Sequence, residues 1–359
     1  MIPIAVVGTG FGARIHVPGL RASGRFDVRA LVGRRPERVR RVAERQGIPR
    51  AATRLADVLD DVAAVSIATP PDAHAELAVA AARASRHVLC EKPMARTVAE
   101  ATAMRDAART AGVVALVDHE FRFDPARATL AELIRRGDLG RPRLVAAITH
   151  IPLFADADRP APAWWFDADA GGGWLGASGS HLIDALRVWL GDFAAVAALV
   201  ETFVGTRRVA EASAPVAVGA DDAFSLLFRM ASGAGGVVQQ SAVAWGPPSV
   251  VLRIVGSDAS AWIDDDGRLH RAGRDAAASE VAVPPHLRLP DVPVPPDAGP
   301  FAARELPAFV RQAERFADAI EGRPASAPAA ATFDDGLAVQ RVIDAVRESA
   351  RQGRWVALG

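Results

Sequence analysis

The first third of the chain opens on a continuous apolar run at 4–7, and short, mostly apolar segments follow at 27–32, 62–69, 87–90 and 113–117. A short run that is apolar throughout predicts a strand buried on both faces, as in a parallel sheet, and the later segments read as further strands. Between them, 73–84 and 98–111 repeat apolar positions at helical spacing. Strands alternating with helices predict an α/β doubly wound parallel sheet, a Rossmann domain over 1–123. After Asp124 the pattern changes. A helix is expected over 125–136, then strands over 143–151, 194–203, 223–230, 235–244 and 250–256, and a hairpin from 261–264 and 267–272. Strands following strands predict a large, mostly antiparallel sheet, so 124–359 is expected to form a second α/β domain. The proline-rich stretch 284–300 reads as an extended surface loop. Amphipathic helices over 309–320 and 333–352 and a last strand over 355–358 end the chain. A broad sheet with helices on one side leaves a face uncovered, and Val250, Leu252 and Ile254 are expected to alternate towards a partner. That predicts a homo-oligomer, a dimer or tetramer.

Composition narrows the class. A length of 359 residues favours two domains, and half of the residues are apolar. Lys+Arg and Asp+Glu balance at 42 each, which argues against a nucleic-acid or polybasic membrane surface. The single Cys90 precludes an intramolecular disulfide and predicts a reducing, cytoplasmic setting. No apolar run approaches the roughly 18–20 residues of a membrane span. The start, MIPIAVVGTG, reads as a strand rather than a leader. Tyrosine is absent, which removes one common catalytic acid. The eight histidines are scattered, and His181 with Asp184 is too small a set for zinc, so no metal is expected.

The first strand runs into Gly8, Thr9, Gly10, Phe11, Gly12 and Ala13. In a dinucleotide fingerprint the first glycine makes the tight turn and the second lets the backbone approach a pyrophosphate. A small third residue, here Ala13, lets the helix pack on its strand. The second strand ends in Gly33, Arg34 and Arg35, with Arg38 beyond. An acidic residue there would bind the ribose 2′-hydroxyl of NAD, whereas guanidiniums accommodate a 2′-phosphate. The cofactor expected is therefore NADP, with NAD possible.

Three loops leave the carboxyl ends of the strands, ATPPDAH (68–74), EKPMA (91–95) and DHEFRF (118–123). With GTGFGA, HVLCEKPMA, FRFDPA, GGGWLGASGSHLIDAL and the closing DDGLAVQRVIDAVRESARQGRWV, they occur in an order that resembles the Gfo/Idh/MocA oxidoreductases. The resemblance implies nicotinamide-dependent redox chemistry on sugars, cyclic polyols or similar carbinols. It places Thr69, Pro70 and His74 along the dinucleotide, and His74 reads equally well as a helix-start histidine without a ligand. It makes Lys92 the catalytic lysine, whose ammonium can stabilise charge on a substrate oxygen. It implies a cis peptide before Pro93, with Glu91 orienting Lys92 or lying near the nicotinamide ribose. Where the family more often carries Asn, this chain has Glu120; Arg122 and Phe123 match better.

The segment 171–186, GGGWLGASGSHLIDAL, matches the part of the family that carries a catalytic histidine in a D-x-G-x-H arrangement. Gly179 and His181 match, while Ala177 stands where the carboxylate belongs. An imidazole can exchange a proton with a carbinol near neutral pH. Asp184, one turn on, could fix its tautomer. The three glycines suggest close approach by substrate or nicotinamide. Trp164, Trp165 and Phe166 offer either an aromatic substrate wall or packed core. The leading expectation is an NADP-dependent oxidoreductase acting on a carbinol or its ketone. The alternatives are a dihydrodiol dehydrogenase and a cofactor-sensing regulatory protein whose catalysis Ala177 has weakened.

Overall fold

A computed structural model describes residues 1–274, 276–296, 298–299 and 301–359; Asp275 and two residues of the expected 284–300 loop, Asp297 and Pro300, lie outside them. The chain forms two compact units, one from 1–124 and 289–337, the other from 125–288 and 338–359.

In the first unit, strands β1 (Ile2–Val7), β2 (Phe26–Val32), β3 (Arg50–Ala52), β4 (Ala64–Ile67), β5 (His87–Cys90) and β6 (Ala115–Val117) form a parallel sheet. Its order is β6-β5-β4-β1-β2-β3, the doubly wound arrangement in which the chain reverses direction beside β1. The strands are short and apolar because both faces are covered: Ile4, Val6 and Leu31 belong to one core, Ala5, Val7 and Ile67 to the other. Helices α1 (Val17–Ala22), α2 (Pro36–Arg45), α3 (His74–Arg83) and α4 (Val98–Ala111) supply the connections.

The return of 289–337 to this unit differs from the boundary expected from sequence, and packing explains it. Of the later helices, α5 (Pro125–Arg135), α6 (Ser180–Leu190), α7 (Ala302–Ile320) and α8 (Phe333–Gln352), the third lies against the first sheet. Its apolar stripe Leu306, Phe309, Ala313 and Phe316 is fully buried in the core beneath β1 and β2. Phe316 stacks on Phe26 with centroids 5.7 Å apart. A side chain on Gly19 would come within 2.4 Å of Phe309, so α1 carries glycine where α7 crosses it. The stripe begins at Ala302, which is why α7 starts earlier than expected.

The second unit is built on a nine-stranded sheet. Its strands are β7 (Pro142–His150), β8 (Phe193–Glu201), β11 (Ala223–Met230), β12 (Gly235–Ser241), β13 (Ser249–Gly256), β14 (Ala259–Ile263), β15 (Leu269–Gly273), β16 (Ala276–Glu280) and β18 (Val356–Ala357). The order is β16-β15-β14-β13-β7-β12-β11-β8-β18, antiparallel except for the β7–β12 pair. Two further pairs are small: β9 (Thr206–Arg207) with β10 (Val216–Ala217), and β17 (Ala331–Thr332) on the edge of β6 in the first unit.

One expectation is corrected here. Leu252 and Ile254 are buried at 4% and 0% exposure, against the covered side of the sheet. The open face instead carries Val251, Leu227, Leu199 and Leu144, at 44–62% exposure. The phase of the alternation is the reverse of that expected, since periodicity alone does not say which face meets the helices.

Candidate active site

Each glycine of the first loop answers a different constraint. Gly8 has φ +131°, and a Cβ there would lie 2.2 Å from the Ala68 carbonyl oxygen, so the turn admits no side chain. A Cβ on Gly12 would press on Val6 and Ala68 at 3.0 and 3.1 Å, whereas around Gly10 nothing lies within 4 Å. The backbone at Gly10, flanked by half-buried Thr9 and Phe11, is thus open to close approach, as a pyrophosphate requires. Ala13 is buried in the core, and Gly12–His16 form a single π-helical turn before α1. Gly33 brings the end of β2 against this loop, since a Cβ there would meet the Thr9 methyl at 2.9 Å. Arg34 and Arg35 are exposed, and Arg38 reaches the Thr9 carbonyl oxygen at 3.5 Å. The loop fits a dinucleotide, and the cationic Arg34 and Arg35 lie exposed just beyond the end of β2.

Thr69 and Pro70, both half-buried, follow β4. His74 is fully buried, with its ring between the Thr69 carbonyl (2.9 Å from Nε2) and the Pro93 carbonyl (3.1 Å from Nδ1). Burial lowers its pKa, and a neutral ring carries a single N–H, so it can donate to only one of these two carbonyls at a time.

The Lys92–Pro93 peptide is cis. Lys92 is half-buried, and its ammonium favours the charged forms of Glu91, Glu120 and Glu305, so three carboxyl groups lie within its field. Glu91 Oε2 accepts the Lys92 backbone N–H at 3.1 Å. Its Oε1 lies 2.9 Å from Nε2 of His16, which is also 3.4 Å from Asp118 Oδ2. Nδ1 of His16 meets the Ser66 hydroxyl at 2.7 Å. Burial resists charge on His16, but hydrogen bonds with Asp118 and Glu91 outweigh it and raise the pKa to about 9. Burial also pushes Glu91 upward, and His16 and Lys92 reverse this to hold it well below the usual carboxylate range. Asp118 moves the other way, raised by burial and by Glu91. Glu120 is also raised well above its ordinary value, by burial first and then by Asp118. Arg122, by contrast, is structural: it pairs with Asp335 at 3.5 Å and donates to the Ala329 carbonyl.

In the second unit, Leu175–Gly179 form a π-helical turn that leads into α6. His181 and Asp184, at 7% and 1% exposure, lie one turn apart on that helix. Ala177 sits in the π turn and packs on the core. At Gly172 and Gly173 the close approach is made by the protein's own groups, not by the ligand expected from sequence. A Cβ on Gly172 would strike the Trp164 and Trp165 carbonyls at 2.3 and 2.6 Å, and one on Gly173 would strike the Asp221 carboxylate at 2.3 Å. Asp221 in turn accepts the Leu175 N–H at 2.7 Å, which fixes the entry to the turn. Trp165 and Phe166 pack on Phe154 with centroids 5.3 and 5.2 Å apart, and Trp164 stacks on Trp165. These aromatics form a packed cluster in which Phe166 is buried and Trp164 and Trp165 are half-buried. Arg207, 2% exposed, lies over the Phe154 and Phe166 rings.

Sequence reasoning missed His16, Asp118 and Glu305. His16 meets Ser66 and Glu91 across 50 and 75 residues, and no local motif announces such a grouping.

A nucleotide-binding parallel sheet with a half-buried lysine on the loop beyond its fifth strand, joined to a large antiparallel sheet, fits a class of dinucleotide-dependent oxidoreductases. The chain belongs to the Gfo/Idh/MocA oxidoreductase family. Residues 2–119 match the oxidoreductase family's NAD-binding Rossmann fold, and 128–262 the GFO/IDH/MocA C-terminal domain. Glucose-fructose oxidoreductase domain-containing protein 2 of Homo sapiens is 31% identical over 100% of this chain and 94% of its own. Levoglucosan dehydrogenase of Pseudarthrobacter phenanthrenivorans is 29% identical over 98% of this chain and 97% of its own. Among solved structures, levoglucosan dehydrogenase in complex with NADH and L-sorbose superimposes with a TM-score of 0.87, at 27% identity and 100% and 99% coverage of the two chains. Aldose-aldose oxidoreductase from Caulobacter crescentus, complexed with glycerol, gives 0.80 at 26% identity, covering 99% of each. Among the described residues no helix is long and apolar enough to cross a membrane.

Proposed function

We propose that this oxidoreductase oxidises a carbinol of a sugar or cyclic polyol, or reduces the matching ketone, with NADP(H) preferred over NAD(H). The observation that carries the reading is Lys92, an ammonium facing three carboxyl groups on the loop beyond β5. A bound nicotinamide would accept or return the hydride. Lys92 would hold the substrate oxygen and stabilise the charge that gathers there as the C–H bond breaks. His181 would exchange the hydroxyl proton, with Asp184 steadying its ring. The glycine loop would bind the phosphates, and Arg34 and Arg35 the 2′-phosphate that distinguishes NADP. The sugar reading draws support from levoglucosan dehydrogenase and aldose-aldose oxidoreductase; with the Trp164–Phe166 turn packed on itself, nothing favours an aromatic diol.

The test is a panel of anhydrosugars, aldoses, inositols and arene dihydrodiols, assayed with each dinucleotide at the nicotinamide absorbance band. Turnover of a sugar or polyol, faster at low NADP⁺ than at low NAD⁺, is expected. Arg34→Ala should weaken NADP⁺ by about 10- to 150-fold, the worth of a charge-assisted phosphate contact. Equal affinity for both cofactors in the wild type would refute the preference, and turnover of dihydrodiols alone would refute the substrate class.

A further inference from the structure

Behind the lysine loop lies a group of buried side chains to which the proposed chemistry assigns no part. His16 is 0% exposed, Asp118 1% and Glu91 7%. They come from three elements: the π turn after β1, the end of β5 and the end of β6. The imidazole ring is held on every side. Its Nδ1 meets the Ser66 hydroxyl, its Nε2 faces Glu91 and Asp118, and its face stacks on Phe309 with centroids 4.3 Å apart. Phe11 packs edge-on at 5.6 Å. A ring so enclosed has one orientation, and its Nε2–H is directed at the carboxylate that accepts the Lys92 N–H.

We propose that His16 is a positioning residue for the reaction, a buried imidazolium that anchors Glu91 and through it fixes the backbone from which Lys92 projects. This rests on the reading of Lys92 as the residue that holds the substrate oxygen. Glu91 has two oxygens and spends one on each side, Oε1 towards His16 and Oε2 on the lysine's N–H. Without the imidazolium, two carboxylates would face each other in a space closed to water, and one would have to take a proton. The charged or titratable groups around them are Cys90 and Lys92 from β5 and its loop, His74 from α3, Glu120 from the turn after β6, Glu305 from α7 and Arg14 from the π turn. Of these the cations are Lys92, whose charge acts on Glu91, Glu120 and Glu305, and Arg14, whose charge acts on Glu305. His16 is the cation that Asp118 and Glu91 share.

The state of His16 should therefore appear in catalysis. With its pKa raised to about 9, it stays charged through neutral pH and loses its proton in alkali. Asp118→Asn keeps the shape of the site but removes one of the two anions that hold the imidazolium. It should move the alkaline limb of kcat/KM to lower pH by at least about one unit. His16→Gln keeps an N–H donor near the Nε2 position but carries no charge. It should lower kcat at least about tenfold with KM changed less than about threefold, because what it perturbs is the bearing of Lys92 in the transition state.

The experiment measures kcat and KM from pH 5 to 10 for wild type, His16→Gln, Asp118→Asn, Ser66→Ala and Lys92→Met, on a substrate found by the panel. Circular dichroism and dinucleotide affinity are recorded for each. Histidine-selective NMR of the wild type follows the His16 ring through the same range. The expected result is an imidazolium that titrates near pH 9, a shifted limb in Asp118→Asn, and a smaller shift the same way in Ser66→Ala. Should His16→Gln fail to fold, those two variants decide. Folded variants with the wild-type pH profile, beside a crippled Lys92→Met, would overturn the proposal alone. Lys92→Met at wild-type kcat would overturn the lysine reading and the proposal with it.

Discussion

Glu120 stands beside Asp118 and Lys92 with 3% of its surface exposed, and burial together with the Asp118 charge raises its pKa well above the ordinary carboxylate value. A carboxyl group that keeps its proton both donates and accepts a hydrogen bond, as an amide does. Glu in place of Asn at this position is therefore a smaller change than the charge suggests. It does make folding sensitive to alkali. A group whose pKa is raised on folding contributes stability that is complete below its ordinary pKa and lost as pH climbs through the folded one. His16, Asp118 and Glu120 all shift in this direction, Asp118 up to about 7 and His16 to about 9, so stability should decline as pH climbs from the ordinary carboxylate range through about 9. Glu120→Gln removes one contributor. In urea titrations it should match or trail the wild type at pH 5 and exceed it at pH 9, by on the order of 1–3 kcal/mol. A difference independent of pH would show that Glu120 carries its charge in the folded state. Residue chemistry was legible where it is local. The Gly8 turn and the Lys92-Pro93 loop are short segments whose composition states the geometry. The His16 group is not local, and its meaning arises only when β4, β5 and β6 are laid side by side.

At the level of elements, period and apolarity revealed most strands, but not the side each presents. The open face of the nine-stranded sheet is the case in point. Leu199 on β8, Leu227 on β11, Leu144 on β7 and Val251 on β13 are 62%, 48%, 56% and 44% exposed on neighbouring or nearby strands. An apolar surface of this breadth is unusual on a lone chain. We infer that it is the surface through which copies of the chain associate, in place of the face that carries Leu252 and Ile254. Sedimentation of the wild type at micromolar concentration should show a dimer or tetramer. The double variant Leu199→Lys with Leu227→Glu should sediment as a monomer with native circular dichroism, since both changes face solvent in the single chain. A monomeric wild type would exclude the interface, and an unaltered oligomer in the variant would place it elsewhere. The span of α7 was harder to read for a related reason. Its stripe from Leu306 to Phe316 says that the helix is buried, and only packing on Gly19 and Phe26 says against which sheet.

On the scale of the whole chain, the segments alternate between units: 1–124 and 289–337 form one, 125–288 and 338–359 the other. A sequence pattern marks where strands stop alternating with helices, and the first unit's opening segment ends at Asp124. The pattern gives no sign of the return at 289, because the extended segment and α7 have no composition of their own that names their partner. The family resemblance extended further, since motifs from both units occur in one order along the chain. The central claim is that Lys92 stabilises the oxygen of a carbinol as its hydride leaves. It is tested most directly by single-turnover kinetics at saturating NADP⁺ and substrate, followed at the nicotinamide band, for wild type and Lys92→Met. The rate should fall by about 10²-fold or more, with NADP⁺ affinity within about threefold of wild type. A Lys92→Met rate equal to the wild-type rate would contradict the claim.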